Sequence, residues 1–313
     1  MKKAFTSLLA AIAACSHSGP PGPVRDACAA AVVREDALRA HVEALATRFA
    51  PRDFAHPENL ALAAAYLTHE LGASTREQKF QVEGHAFTNL IVSFGPDTHE
   101  RIVVGAHYDS AGEQPGADDN ASGVAGVLEL ARLLRASPPA MRTELALWTL
   151  EEPPNFRTNK MGSAVHAAQL AADKAQVKLM VSVEMIGYFS DAEDSQTLPT
   201  GLGPFYPSKG NFIAVVGQWG QGSAIEEVAA AMRLGSPLPV EKLSAPSWMT
   251  GVVFSDHLNF WAHGYDAVMV TDTSFFRNAN YHLTTDKPDT LDYRRMALTV
   301  RGVHCAIRAL AGG

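Results

Sequence analysis

Val103-Val104-Gly105-Ala106-His107-Tyr108-Asp109-Ser110 reads as a buried strand that runs out into a histidine and an aspartate. Gly116-Ala117-Asp118-Asp119-Asn120-Ala121-Ser122-Gly123 follows it, an acidic loop framed by glycines that opens onto a helix. Collecting carboxylates and an imidazole in an apolar setting is costly unless positive charge compensates them. No Lys or Arg lies between Arg101 and Arg132. A bound divalent metal is the simplest compensation, and its other ligands can be sought along the chain.

Outward from that stretch the periodicity is helical, then mixed. Leu38, Val42, Leu45 and Phe49 fall on one face of a helix that Pro51 ends. Pro57 opens a second helix, over residues 58–71, which Gly72 closes. Lys79 to Val82 and Phe87 to Phe94 read as a strand pair joined near Gly84. Beyond them, strands over 101–106, 143–150, 177–185, 211–216 and 267–271 alternate with helices over 124–134, 162–172, 223–232 and 293–311. This alternation predicts one α/β domain over 37–313, three layers (α/β/α) around a mixed, largely parallel central sheet. The long connections 189–210 and 235–252 bear Pro and Gly and are expected to set specificity.

Hydrophobic residues make up 47% of the 313 and charged residues 19%, an ordinary globular balance. A net charge of -7 with no basic stripe argues against a nucleic-acid partner. Lys2 and Lys3 precede an apolar run from Ala4 to Ala14, so residues 1–15 predict a signal peptide, too short to span a bilayer. Ile12-Ala13-Ala14-Cys15 resembles a bacterial lipobox, in which Cys15 would be lipidated and become the new N-terminus. Ser16 after it points to an outer-membrane anchor. Ordinary secretory cleavage near Ala14 is the alternative, and either route exports the protein to the periplasm or beyond. No later run reads as a transmembrane segment. Residues 16–36, rich in Ser, Gly and Pro from His17 to Val24, read as a tether. Cys28 and Cys305 allow a disulfide or two buried thiols, and both stay open.

Ligands in an open α/β sheet bind beyond the carboxyl ends of the strands. Those ends deliver His107 and Asp109, then Glu151 and Glu152, then Glu184, then Asp272 with His282 in the loop after it, while the acidic loop adds Asp119. Any of these alone has a bland reading. A histidine at a strand end caps or faces solvent, paired glutamates begin a solvated helix, and Asp118 and Asp119 cap the next helix. Five candidate ligands at separate strand ends are another matter, and imidazoles with carboxylates are what zinc takes when thiolates are absent.

The motifs His107-Tyr108-Asp109-Ser110, the acidic loop to Gly123, Glu151-Glu152, Glu184-Met185-Ile186-Gly187-Tyr188, Ser255-Asp256-His257 and Tyr281-His282 closely resemble the M28 family of zinc aminopeptidases, over about Leu38 to Ala311. The resemblance implies two zinc ions per chain. It makes His107, Asp119, Glu152, Glu184 and His282 their ligands, with Asp119 bridging and Asp109 orienting His107. It makes Glu151 the general base and Tyr281 a donor to the oxyanion. The family's ligand at position 184 is usually an aspartate, and the glutamate here reaches one methylene further. Pro153 and Pro154 predict a rigid turn after the glutamates. His257 is expected to be structural or to face substrate, Asp256 and Asp272 to lie near the site, and Asp286 to orient His282.

These readings predict a metal-dependent exopeptidase, an aminopeptidase by resemblance, acting on peptides through an activated water. No Ser or Cys nucleophile is needed: no cysteine stands beside a base, which argues against thiol catalysis, and no Gly-x-Ser-x-Gly elbow occurs. A glutaminyl cyclase-like single-zinc acyltransferase on the same fold is the alternative. A non-catalytic binding domain is the third reading, disfavoured because the ligand set is intact.

Overall fold

The run Ile102-Val103-Val104-Gly105-Ala106 is buried on both faces because alternate side chains enter different cores. Ile102, Val104 and Ala106 join the larger cluster, while Val103 packs with Ala146, Trp148 and Phe260. Gly105 leaves the room that the Trp148 ring fills, since a Cβ there would collide with the ring and with the Ala146 carbonyl. This strand is β3, Glu100–His107.

The computed structural model describes residues 22–312. The signal peptide with Cys15, and residues 16–21 of the tether, lie outside the described residues. The other strands are β1 (Arg76–Val82), β2 (His85–Phe94), β4 (Arg142–Trp148), β5 (Gln176–Glu184), β6 (Ile213–Gln218), β7 (Val240–Ala245) and β8 (Ala267–Thr271). The helices are α1 (Gly22–Ala30), α2 (Glu35–Glu43), α3 (Pro57–Leu71), α4 (Gly123–Ala136), α5 (Gly162–Ala172), α6 (Gly222–Gly235), α7 (His257–Trp261) and α8 (Tyr293–Leu310).

The strand order is β1-β2-β4-β3-β5-β8-β6-β7. β4, β3, β5 and β8 run parallel to one another, so their carboxyl ends share one edge. β6 is antiparallel to β8, and β7 is parallel to β6. The first residues of β6 and β7 therefore lie at that same edge. β1 and β2 extend the other end as an antiparallel hairpin against β4. Residues from α2, α3, α4, α6 and α8 build the core on one face, and residues of α5 and α7 cover the other. The three-layer α/β expectation therefore holds.

Three elements depart from the sequence reading. Within the expected tether, α1 is helical, buries Val24 and Cys28, and pairs Cys28 with Cys305 of α8 at a Cα–Cα distance of 5.2 Å. Of the two options for these cysteines, the structure takes the disulfide. The connection 235–252 contains β7, an edge strand set between Pro239 and Pro246, which matches the tendency of proline to flank edge strands. The third is α7, too short for a periodic signal.

Candidate metal centre

Each site residue sits where a parallel strand stops. His107 is the last residue of β3, and Glu184 the last of β5. Glu151 and Glu152 follow β4, and His282 lies in the loop after β8. Leu150, Met185 and His282 hold left-handed backbone, with φ of 62°, 48° and 56°. Such non-glycine positions are sparsely populated and concentrate at functional sites. The Asp119–Asn120 peptide is cis.

Asn120 ties the acidic loop to the end of β5. Its Nδ2 donates to the Val183 carbonyl at 2.9 Å and to Glu184 Oε2 at 3.3 Å, and its Oδ1 accepts from Met185 N at 3.1 Å. The start of α4 comes so close that a Cβ on Gly123 would meet the Val183 carbonyl and the Asn120 side chain.

The five expected metal ligands converge, and Asp119 divides them. Its Oδ1 lies 3.4 Å from His107 Nε2, which is itself 3.3 Å from Glu184 Oε2. Its Oδ2 lies 3.1 Å from His282 Nε2, which is 3.4 Å from Glu152 Oε1. Three groups of three lie close enough to hold an ion, His107–Asp119–Glu184, Asp119–Glu152–His282 and His107–Glu151–Glu152, and the first two share Asp119. His282 Nε2 and Glu152 Oε1 are buried without a hydrogen-bond partner. Zinc bonds of about 2.0–2.1 Å in a tetrahedron put ligand atoms roughly 3.3–3.4 Å apart. The observed spacings fit such shells, so the residues present fit zinc.

The outer contacts are as specific. Asp109 places Oδ1 3.4 Å from His107 Nδ1 and accepts from Glu152 N at 3.0 Å through Oδ2, so one carboxylate touches both halves of the site. Ser255 Oγ donates to Glu184 Oε2 at 2.7 Å. Glu151 Oε2 stands 4.0 Å from His107 Nε2. The Tyr281 ring stacks on the His282 ring at 3.8 Å and lines the same cavity. A run of turns follows Glu152, beginning with Asn155 N donating to the Glu152 carbonyl at 3.0 Å.

Two sequence expectations are corrected here. Asp286 does not orient His282. Its carboxylate accepts from Asp118 N at 2.9 Å and Asp119 N at 3.1 Å, and so holds the acidic loop. Nor is the surrounding chain free of positive charge: Arg52, distant in sequence, is fully buried beneath the loop. Its guanidinium donates to the carbonyls of Leu45, Tyr108, Pro115 and Gly116, so its hydrogen bonds go to main chain and none to the carboxylates. Burial lowers its pKa to about 10, which leaves it charged.

Charge has shaped every titration at this edge. Burial, then the neighbouring Asp119, pushes Glu152 up to about 8. Burial also raises Glu151 well above the usual carboxylate range and raises Glu184. For His107, burial opposes protonation, yet Glu184 and Glu151 hold its pKa well above the ordinary value. Burial likewise opposes the charge on His282, and Asp119 and Glu152 overcome it to about 10. For Asp119, burial favours the neutral acid, but contacts with His107 and His282 depress its pKa. Protons here do what a cation would do.

The remaining candidates are nearby but not in either group. Asp256 is fully buried with both oxygens unpartnered, and burial pushes it up to about 7. His257 contacts the Val252 carbonyl at 2.8 Å and the Trp261 ring, and burial lowers it to about 4, so it is a neutral structural group. Asp272 accepts from Tyr188 N and Ser274 N and faces Asp118. Asp118 itself accepts from Gly187 N and Asn278 Nδ2, so it braces the site from behind.

A sheet of this topology with such a carboxylate–imidazole edge defines a zinc exopeptidase-like hydrolase. Peptidase family M28 matches residues 89–305, and the chain belongs to that family; it is a zinc-dependent peptidase. It is 43% identical over 265 residues to the uncharacterized protein YfbL of Escherichia coli (strain K12), covering 81% of each chain. It is 26% identical over 240 residues to leucine aminopeptidase 1 of Ajellomyces capsulatus, covering 71% of this chain and 55% of that one. Two solved structures share the fold. LapA of Legionella pneumophila has a TM-score of 0.72 at 19% identity, over 93% of this chain and 76% of its own. Glutaminyl cyclase of Bacteroides thetaiotaomicron has 0.68 at 18%, over 88% of this chain and 98% of its own.

Proposed function

We propose that the chain is a two-zinc aminopeptidase that removes N-terminal residues from peptides. The supporting observation is the division of Asp119, whose two oxygens face separate donor groups. A single-zinc acyltransferase has no need for the second group, so this geometry favours the peptidase over a cyclase. His107, Asp119 and Glu184 would hold one ion, and Asp119, Glu152 and His282 the other. When bound, such a pair acidifies a water and polarises the scissile carbonyl. Glu151, a member of neither group that shares Asp119, takes a proton from the attacking water and passes it to the leaving amine. Tyr281, its phenol kept protonated by burial and the adjacent Asp119, donates to the developing oxyanion. Asp109 positions His107 and the Glu152 main chain.

The same proposal includes export. Residues 1–15 would direct secretion, with lipid attachment at Cys15 anchoring the enzyme at the outer membrane. Among the described residues, no helix is long and apolar enough to cross a membrane.

The test pairs zinc counting on purified protein with aminoacyl anilides, N-acetylated peptides and glutaminyl peptides. Two zinc ions and cleavage that requires a free amino terminus are the expected result. One zinc with release of ammonia and a cyclised glutamine terminus would replace this reading by the cyclase.

A further inference from the structure

The cavity beside the metal centre, about 300 Å³, is floored by the sheet itself. Register pairs Glu184 with Thr271, Thr271 with Ala214, and Ala214 with Glu241. These four form one row across β5, β8, β6 and β7, with side chains on one face, and all four line the cavity. Two residues further along the strands the floor continues as Met269, Val216 and Leu243. A zinc-binding carboxylate thus stands at one end of the row and a second carboxylate at the other. Thr271 and Ala214 between them are small, which leaves a trough, and Phe275 and Phe276 add apolar wall.

Glu241 is only partly exposed, yet its carboxylate has neither a hydrogen bond nor an ion pair among the described residues. The adjacent Lys242 does not neutralise it, because Lys242 is paired with Glu226. Glu241 is close enough to raise the pKa of Tyr206, after burial of that phenol. A partly buried carboxylate on an apolar floor is unfavourable without a partner. Three strand spacings of about 4.8 Å separate Glu184 from Glu241, roughly 14 Å between backbones. Side chains of one row stand side by side, so the two carboxylates are set apart by about the same distance, which a long extended substrate side chain bridges more nearly than a leucine. An extended methylene stem ending in a cation matches both the apolar trough and its charged end.

We infer that the cavity selects an N-terminal residue with a long stem and a cationic head, lysine or arginine, and that Glu241 reads the head group. This rests on the exopeptidase reading above. Glu241 would accept hydrogen bonds from the ammonium or guanidinium, while Met269, Val216 and Leu243 pack the methylenes.

The test compares lysyl and arginyl anilides with the norleucyl anilide, which keeps the stem and lacks the charge. The wild-type kcat/KM should favour lysyl over norleucyl at least tenfold. Glu241→Gln should reduce that ratio tenfold or more, mainly through KM, and Glu241→Asp should retain part of it. Binding gives an independent readout on zinc-loaded Glu151→Gln protein: calorimetry should show lysinamide at least tenfold tighter than norleucinamide, and the preference lost when Glu241→Gln is added. Preference for norleucyl or phenylalanyl substrates, or a ratio that Glu241→Gln does not move, would overturn the inference. If no anilide is cleaved, the exopeptidase reading falls, and the binding preference alone supports or overturns the role of Glu241.

Discussion

Shortening Glu184 by one carbon is the sharpest probe of the centre. Glu184 Oε2 is 3.3 Å from His107 Nε2 and accepts from Ser255 Oγ at 2.7 Å. Glu184→Asp would draw the carboxylate back by roughly 1.5 Å, one carbon–carbon bond. Metal–ligand distances tolerate only about 0.2 Å. The backbone cannot follow, because Met185 N is bonded to Asn120 Oδ1 at 3.1 Å and Val183 O to Asn120 Nδ2 at 2.9 Å. The retreat therefore costs the contact with the ion and the bond from Ser255 together. A loss of 10–100-fold in affinity for one zinc follows, about 1.4–2.7 kcal/mol. The assay is competition against a chromophoric zinc chelator, with circular dichroism to verify the fold. Two zinc ions bound to the folded variant with unchanged affinity would refute the assignment of Glu184 and the reasoning from reach.

Glu151→Gln should keep its zinc and lose about 10²–10⁴-fold in kcat, read by anilide hydrolysis; undiminished turnover would remove Glu151 from the role of base. Asp286→Ala should destabilise the fold by roughly 2–6 kcal/mol in urea titrations, since it orphans two buried N–H groups at about 1–3 kcal/mol each; a change under about 0.5 kcal/mol would contradict that bracing role. Metal-free protein should lose stability as pH rises. Burial pushes Asp272 up to about 6, Asp256 and Asp286 up to about 7, and Glu152 up to about 8. These groups bind more protons folded than unfolded, so the stability they add is complete below about pH 4 and is lost as pH passes their folded values. The melting temperature in chelator should fall by roughly 5 °C or more between pH 5 and pH 8, and a rise would reverse the sign argued here. Zinc should offset part of that fall, because its binding displaces the proton held by Glu152.

The centre was legible in sequence because its ligands stand at strand ends, where a periodic apolar run stops and a titratable residue begins. His107 after Val103-Val104-Gly105-Ala106 and Glu184 after Val181-Ser182-Val183 are of this kind. What braces them was not. Arg52 gave no signal at all, and the motif around Ser255 and the reading of Asp286 did not reveal that they hold Glu184 and the acidic loop, because only the fold brings these segments to the site. β7 escaped because Val240-Glu241-Lys242-Leu243-Ser244 is half polar and flanked by proline, as an edge strand permits. α1 escaped because its proline and glycine suggested a linker, whereas burial of Val24 and Cys28 against α8 makes it part of the body.

The reversal of chain direction at β6 separates two tasks that most clefts entangle. On the reading proposed above, the reactive groups hang from the exits of β3, β4, β5 and β8, whereas part of the wall for the departing residue is carried by the entrances of β6 and β7. Main-chain rungs join the second set to β8, and Arg277 bridges the carbonyls of Tyr188 and Phe212. Ala214 and Val216 are buried with Met269 of β8, which leaves positions 241 and 243 on the edge strand as the ones open to diversification. A library confined to them should yield enzymes of altered appetite and intact chemistry, a freedom that a cleft built wholly from one run of parallel strands would lack.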